Sequence, residues 1–186
     1  MNTSINKLSA EETALLRSLV GQEFRFVGGP QVPSYLVSDY FLIGASGTSI
    51  SITGDSNFVN LNDDSGDYSF MRIHESSPEE SEKTLRSGNF YLLNRRSTIV
   101  DVSVVTETIS QSGIASSNWR YVVDIAVVLH LELGFVVFQL LSHNAEAISV
   151  ESPDHFSLER FGITTSSFES DLVRTYRSDL SLTQLV

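Results

Sequence analysis

The segment from Tyr121 to Leu141, YVVDIAVVLHLELGFVVFQLL, constrains the fold more than any other part of this chain. Its length and apolarity would suit a membrane span. Its internal order argues otherwise. Tyr121, Val123, Ile125, Val127, Leu129, Leu131 and Leu133 form an unbroken apolar row at odd positions, and Asp124, His130 and Glu132 fall at even ones. Alternation with period two belongs to a strand with one buried face, because successive side chains point to opposite sides of the backbone. Gly134 offers a turn, and Phe135 to Leu141 returns as a second apolar strand. Two acidic groups in a lone span would also cost several kcal/mol. The segment is expected to be a core hairpin, with no membrane association.

Shorter β runs fill most of the remainder. Phe24 to Val27, Leu36 to Ile43, Thr48 to Thr53, Asn57 to Leu61, Ser69 to His74, Tyr91 to Leu93, Thr98 to Ile109 and Ala147 to Val150 each carry apolar or β-branched residues between turn signals. In Val100 to Val104 the alternation is regular, and Val105 then breaks it, so a bulge or strong twist is expected near Val104.

Two helices frame this pattern. Ser9-Ala10-Glu11-Glu12 is a capping box, and Ala14, Leu15, Leu16, Leu19 and Val20 follow as one apolar stripe before Gly21. A helix is predicted from Ala10 to Val20. Ser166 and Glu169 repeat the capping spacing, with Phe168, Leu172, Val173 and Tyr176 behind them, which predicts a C-terminal helix from Ser167 to Arg177. The polar segment 76–88, with Pro78, reads as a solvated loop or a short helix.

The expected architecture is α+β, mainly β: one domain over residues 1–186, a twisted antiparallel sheet or half-open barrel of eight to ten strands, covered by the N-terminal helix and braced by the C-terminal one. There is also an echo within the chain. Asp39 to Ile43, Gly47, Ile50 resembles Asp124 to Val128, Gly134, Val136, so segment 76–88 could join two similar halves.

Composition excludes several chemistries. No cysteine is present among the 186 residues, which rules out disulfides, a thiol nucleophile and thiolate-held zinc or iron–sulfur clusters. The formal charge of -11, from 12 basic and 23 acidic residues, repels phosphate backbones and suits a basic protein partner. The first residues lack a basic region followed by an apolar one, so a cytoplasmic location is expected.

No HExxH, P-loop, GxGxxG or GxSxG motif occurs, and no cofactor is expected. Asp124, His130 and Glu132 are the candidates for a polar site, since all three share one parity of the proposed strand. At about 3.3 Å per residue, Asp124 and His130 stand roughly 20 Å apart, too far for a catalytic hydrogen bond, whereas His130 and Glu132 are about 7 Å apart. Asn60, Asn62, Asp64 and Asp67 imitate a calcium loop, but Gly66 and Met71 fall at the wrong places in the register. Asp154 and His155 are adjacent, and neighbours on an extended chain point apart. Trp119, Tyr121, Phe135 and Phe138 are expected in the core rather than in a ligand pocket.

Three classes of function follow. The first is a non-enzymatic binding protein with a protein partner. The second is a small-molecule binder using a cavity in the curved sheet. The third is an enzyme whose site is assembled from separate strands. A deep pocket with convergent ionisable groups would favour the last, and a dry apolar cavity the second.

Overall fold

A computed structural model describes residues 2–29, 37–61, 65–91, 97–112, 118–153, 155–161 and 175–185. The order of elements is β1 (Asn2–Asn6), α1 (Ala10–Arg17), β2 (Glu23–Gly28), β3 (Val37–Ser38), β4 (Tyr40–Ala45), β5 (Ser49–Val59), β6 (Gly66–Glu75), α2 (Pro78–Ser87), β7 (Phe90–Tyr91), β8 (Ser97–Ser112), β9 (Trp119–Leu131), β10 (Phe135–Ser142), β11 (Ala145–Glu151), a short 3-10 turn (Leu158–Phe161) and β12 (Thr175–Gln184).

Two antiparallel meanders make the sheet. One is β4–β5–β6 and the other β8–β9–β10–β11, and β2 joins them by pairing with β4 and with the first residues of β8. The chain is thus mainly β, as its alternation predicts. The core hairpin forms as expected, with Phe135 opposite His130 and Gln139 opposite Ala126 around a turn in which Gly134 takes φ 88°. No helix among the described residues is long and apolar enough to cross a membrane.

Twelve strands are described, against the eight to ten expected. Two of them are mostly polar and are not among the expected strands. β1 lies parallel to β9, from Asn2 opposite Trp119 to Asn6 opposite Val123. β12 lies antiparallel to β8, from Thr175 opposite Ser112 to Gln184 opposite Ser103. The expected C-terminal helix ends inside this strand. Thr175 to Arg177 are extended, not helical, and residues 167–174 lie outside the described set. The long flank of β8 supplies ladder partners for ten residues, and that pairing outweighs the helical spacing that ends at Tyr176.

The second helix lies instead in the segment where the sequence suggested a loop or short helix. Ser77 caps α2 by accepting the Glu80 N–H at 3.1 Å, Pro78 takes the first turn, and Gly88 closes it at φ 73°. α2 buries none of its residues. α1 behaves differently. Its capping box forms as predicted, it ends at Arg17 rather than at the expected Val20, and Leu16 and, just beyond the helix, Leu19 are fully buried.

Two clusters make the core. The first collects Phe24, Phe41, Ile43, Ile50, Ile52, Ile73, Val102, Val127, Leu129 and Phe138, with Leu16 of α1 and Leu19 just after it. Both meanders contribute, so the sheet curls around this cluster and α1 covers it. The curl brings β11 across β5 at Gly54. A Cβ there would lie 1.7 Å from the carbonyl oxygen of Glu146, and only glycine allows the two backbones so close. The second cluster holds Tyr68, Phe70, Val105, Ile109, Trp119, Tyr121, Val123, Ile125, Ala126, Val128 and Phe161.

β9 supplies both clusters, through a bulge. Ala126 pairs with Val105 and Asp124 with Thr106, which leaves Ile125 as an extra residue. Tyr121, Val123 and Ile125 lie in the second cluster, whereas Val127, Leu129 and Leu131 lie in the first. The apolar odd row is therefore two half-rows on opposite faces. The irregularity expected near Val104 falls at Val105 and Thr106, with its additional residue on the facing strand.

Candidate functional site

The bulge decides the fate of the predicted polar site. Asp124 precedes it, and His130 follows it. Val128, two residues before His130 on the same side of the strand, sits in the second cluster, whereas Asp124 turns towards α1 and the first. The shared face expected for these residues does not form. Each has its own partners.

Asp124 is 3% exposed. Its carboxylate accepts the Leu8 N–H at 2.8 Å and the Thr106 hydroxyl at 2.6 Å. Burial pushes its pKa up, and the two hydrogen bonds and Lys7 offset part of that, while Glu12 adds to it. Nearby, Glu12 links α1 to β6. It accepts from Ser9 N at 2.7 Å and Ile73 N at 3.0 Å, and pairs with Arg72 at 3.3 Å. Burial alone would raise the Glu12 pKa, but the N–H groups of Ser9 and Ile73, the Ser9 hydroxyl and Arg72 together hold it below its ordinary value. These carboxylates fasten the start of α1 to two strands.

His130 is half-buried between Phe135 and Phe156, with ring centroids 5.2 and 6.0 Å away, and its Nε2 lies 2.9 Å from Ser103 Oγ. Burial lowers its pKa, and Asp101 partly opposes that. Glu132 stands in the turn beyond β9, exposed, and accepts from Thr98 N at 3.4 Å. No hydrogen bond joins His130 to Glu132 among the described residues; each turns to β8 separately.

A second buried ionisable group is not among the sequence expectations. Glu107 and His143 are both 0% exposed, and His143 Nε2 lies 3.0 Å from Glu107 Oε2. The Ser178 hydroxyl donates to the other Glu107 oxygen. The Tyr121 ring packs on His143 at 6.0 Å, and the His143 carbonyl accepts Ser69 N–H at 2.7 Å. This trio resembles a hydrolase triad in composition only. A nucleophilic serine needs the imidazole beside its hydroxyl, and here the carboxylate stands between them. The arrangement braces β12, β8, β6 and the β10–β11 turn. The sequence signal was available: Glu107 is a charge within a run of β-branched residues, Val102 to Ile109.

Two clefts lie on either flank of α2. One, of about 300 Å³, is lined by Tyr40, Glu80, Lys83, Thr84 and Asn89. Glu80 accepts from the Tyr40 hydroxyl and from Ser76 Oγ. Burial and the Glu80 carboxylate push the Tyr40 pKa well above its ordinary value. The other cleft, of about 380 Å³, runs between α2 and the β4–β5 turn and includes Glu75, Glu82 and Leu85.

Trp119, Tyr121 and Phe138 are buried in the core, as their strand positions imply. His155 is exposed, and Asp154 lies outside the described residues, as does the middle of the calcium-like turn, 62–64. Among the described residues, no group of three histidines or carboxylates stands close enough to hold a metal ion. Compared with known proteins, the chain matches no family model, no curated protein and no solved structure.

Proposed function

We propose that this chain is a non-enzymatic binding protein that meets a basic protein partner through its acidic exterior, in the cytoplasm. One observation carries the reading: the placement of its charge. The buried ionisable groups Glu12, Asp124, Glu107 and His143 are committed to holding elements together. Many of the other described acidic side chains, among them Asp55, Asp67, Glu75, Glu79, Glu82 and Glu151, are exposed. With a formal charge of -11, such an exterior attracts cationic partners over a distance and orients them before contact.

Packing speaks against the small-molecule alternative. The space inside the curled sheet is filled by the first cluster, whose central members, Phe41, Ile52, Val127 and Phe138, are 0% exposed. An enzyme site built on His130 and Glu132 is the other alternative, and the separate partners of those residues weaken it.

Co-precipitation from the native source at low and high salt tests the reading. An electrostatic partner should be lost as salt rises, because exposed charges are screened beyond about 8 Å at physiological ionic strength. A small molecule carried through purification regardless of salt would replace this reading with ligand binding. A turnover abolished by replacing His130 or Glu132, with the fold intact, would make the protein an enzyme.

A further inference from the structure

α2 is fully folded and capped, yet contributes nothing to either core cluster. It buries no residue, and its single large apolar side chain, Leu85, is 42% exposed. Leu85 lines the groove of about 380 Å³ between α2 and the β4–β5 turn, with Ala45 and Pro78 beside it and the carboxylates of Glu75 and Glu82 also in its lining. No lysine or arginine is among the lining residues. We propose that this groove is the docking site for an arginine-bearing segment of the protein partner, an inference that rests on the reading of the chain as an acidic binding protein.

The chemistry selects arginine. Its apolar stem can lie along Leu85 and Pro78 while its planar guanidinium reaches carboxylate oxygens two at a time. Lysine shares the charge but not the fork. Glu82 already holds such a group: Arg86 pairs with it one turn along the helix, with the two side chains 76% and 62% exposed. So exposed a pair contributes little and exchanges readily, so an incoming guanidinium can displace Arg86. A second copy of the chain is a poorer occupant, because it brings the same net negative charge to the contact.

The test uses the full chain and a fluorescein-labelled octapeptide of alternating arginine and leucine, read by anisotropy. The double variant Glu75→Gln/Glu82→Gln should weaken binding about tenfold, and Leu85→Ser should weaken it as well. Arg86→Gln should strengthen binding roughly two- to fivefold by freeing Glu82. Because α2 buries no residue and Glu75 is exposed at the end of β6, circular dichroism should show all of these folded. The control Glu11→Gln/Glu159→Gln removes equal charge at exposed sites on α1 and the 3-10 turn. An equal loss in both double variants would overturn the groove while leaving the acidic-exterior reading in place. A wild-type chain that binds no basic peptide would overturn both. A peptide-free dimer, dissolved by Leu85→Ser in sedimentation, would assign the groove to a second copy and overturn the proposal.

Discussion

The Leu8 N–H points at Asp124 Oδ2 from 2.8 Å, so the residue that leads into α1 is tied to β9, which supplies both core clusters. Thr106 holds the other carboxylate oxygen at 2.6 Å. An asparagine can keep both contacts, accepting from Leu8 and donating to Thr106. Asp124→Asn should therefore stay within about 1 kcal/mol of wild type, whereas Asp124→Ala, which strands two polar groups, should cost about 1–3 kcal/mol in urea unfolding. The pH dependence has a definite sign. Burial raises the Asp124 pKa, so the folded state holds its proton more tightly than the unfolded chain does. That contribution is complete below the unfolded carboxylate range and is lost as pH rises through the raised folded value. The Asn variant lacks this loss, so its stability relative to wild type should increase from about pH 4 to neutrality.

Glu12 should behave in the opposite sense. Its hydrogen bonds and Arg72 outweigh burial, and its folded pKa lies below the ordinary value. Its contribution is present above the unfolded pKa and disappears as pH falls through the folded one. Glu12→Gln should cost about 1–2 kcal/mol at neutral pH, through the capping box and the Ile73 N–H, and less below about pH 4. Denaturant titrations at a series of pH values would separate the two carboxylates. Parallel curves for the two variants would contradict both assignments.

Glu107 holds β12 through Ser178 and the β10–β11 turn through His143. Glu107→Ala leaves both without that acceptor in a site closed to water, a loss of about 3 kcal/mol. Hydrogen exchange gives the sharper readout. Amides of Thr175 to Gln184 should lose protection in the variant more than those of β4 and β5 do. Uniform loss across the sheet would mean that the buried pair is not a local fastening.

At the centre of the first cluster, Val127 is 0% exposed. Val127→Asp places an unpaired charge there and should lower stability by more than about 3 kcal/mol. An unchanged melting temperature would show that β9 is not the core strand described.

Much of this arrangement is legible in the residues. The alternation in Tyr121 to Leu141, the turn at Gly134 and the capping box at Ser9 each rest on local rules that the folded chain obeys. The mostly polar strands β1 and β12 are not, because the ladder partners that β9 and β8 offer outweigh the weak apolar pattern of their own. The site suffered from a single residue. Period-two counting cannot see the extra Ile125, and one extra residue turns everything beyond it to the other face. Asp124 and His130 share parity in the sequence and lie on different faces in the sheet. The Glu107, His143 and Ser178 contacts join three distant segments, and nothing local to any of them announces the others.

Gly54 also has a bearing on when the molecule can form. The close passage of β5 under Glu146 joins the first meander to the end of the second, so the first cluster cannot close until the chain has been made at least that far. Until then the part of the wall that β11 adds through Ile148 and Val150 is missing from the cluster that holds Phe41, Ile43, Ile50, Ile52 and Ile73. Contacts so distant along the chain are slow to form, and the waiting strands are the part most exposed to aggregation. A nascent chain halted before β11 should therefore bind a hydrophobic dye or a chaperone, and one extended past Glu151 should not.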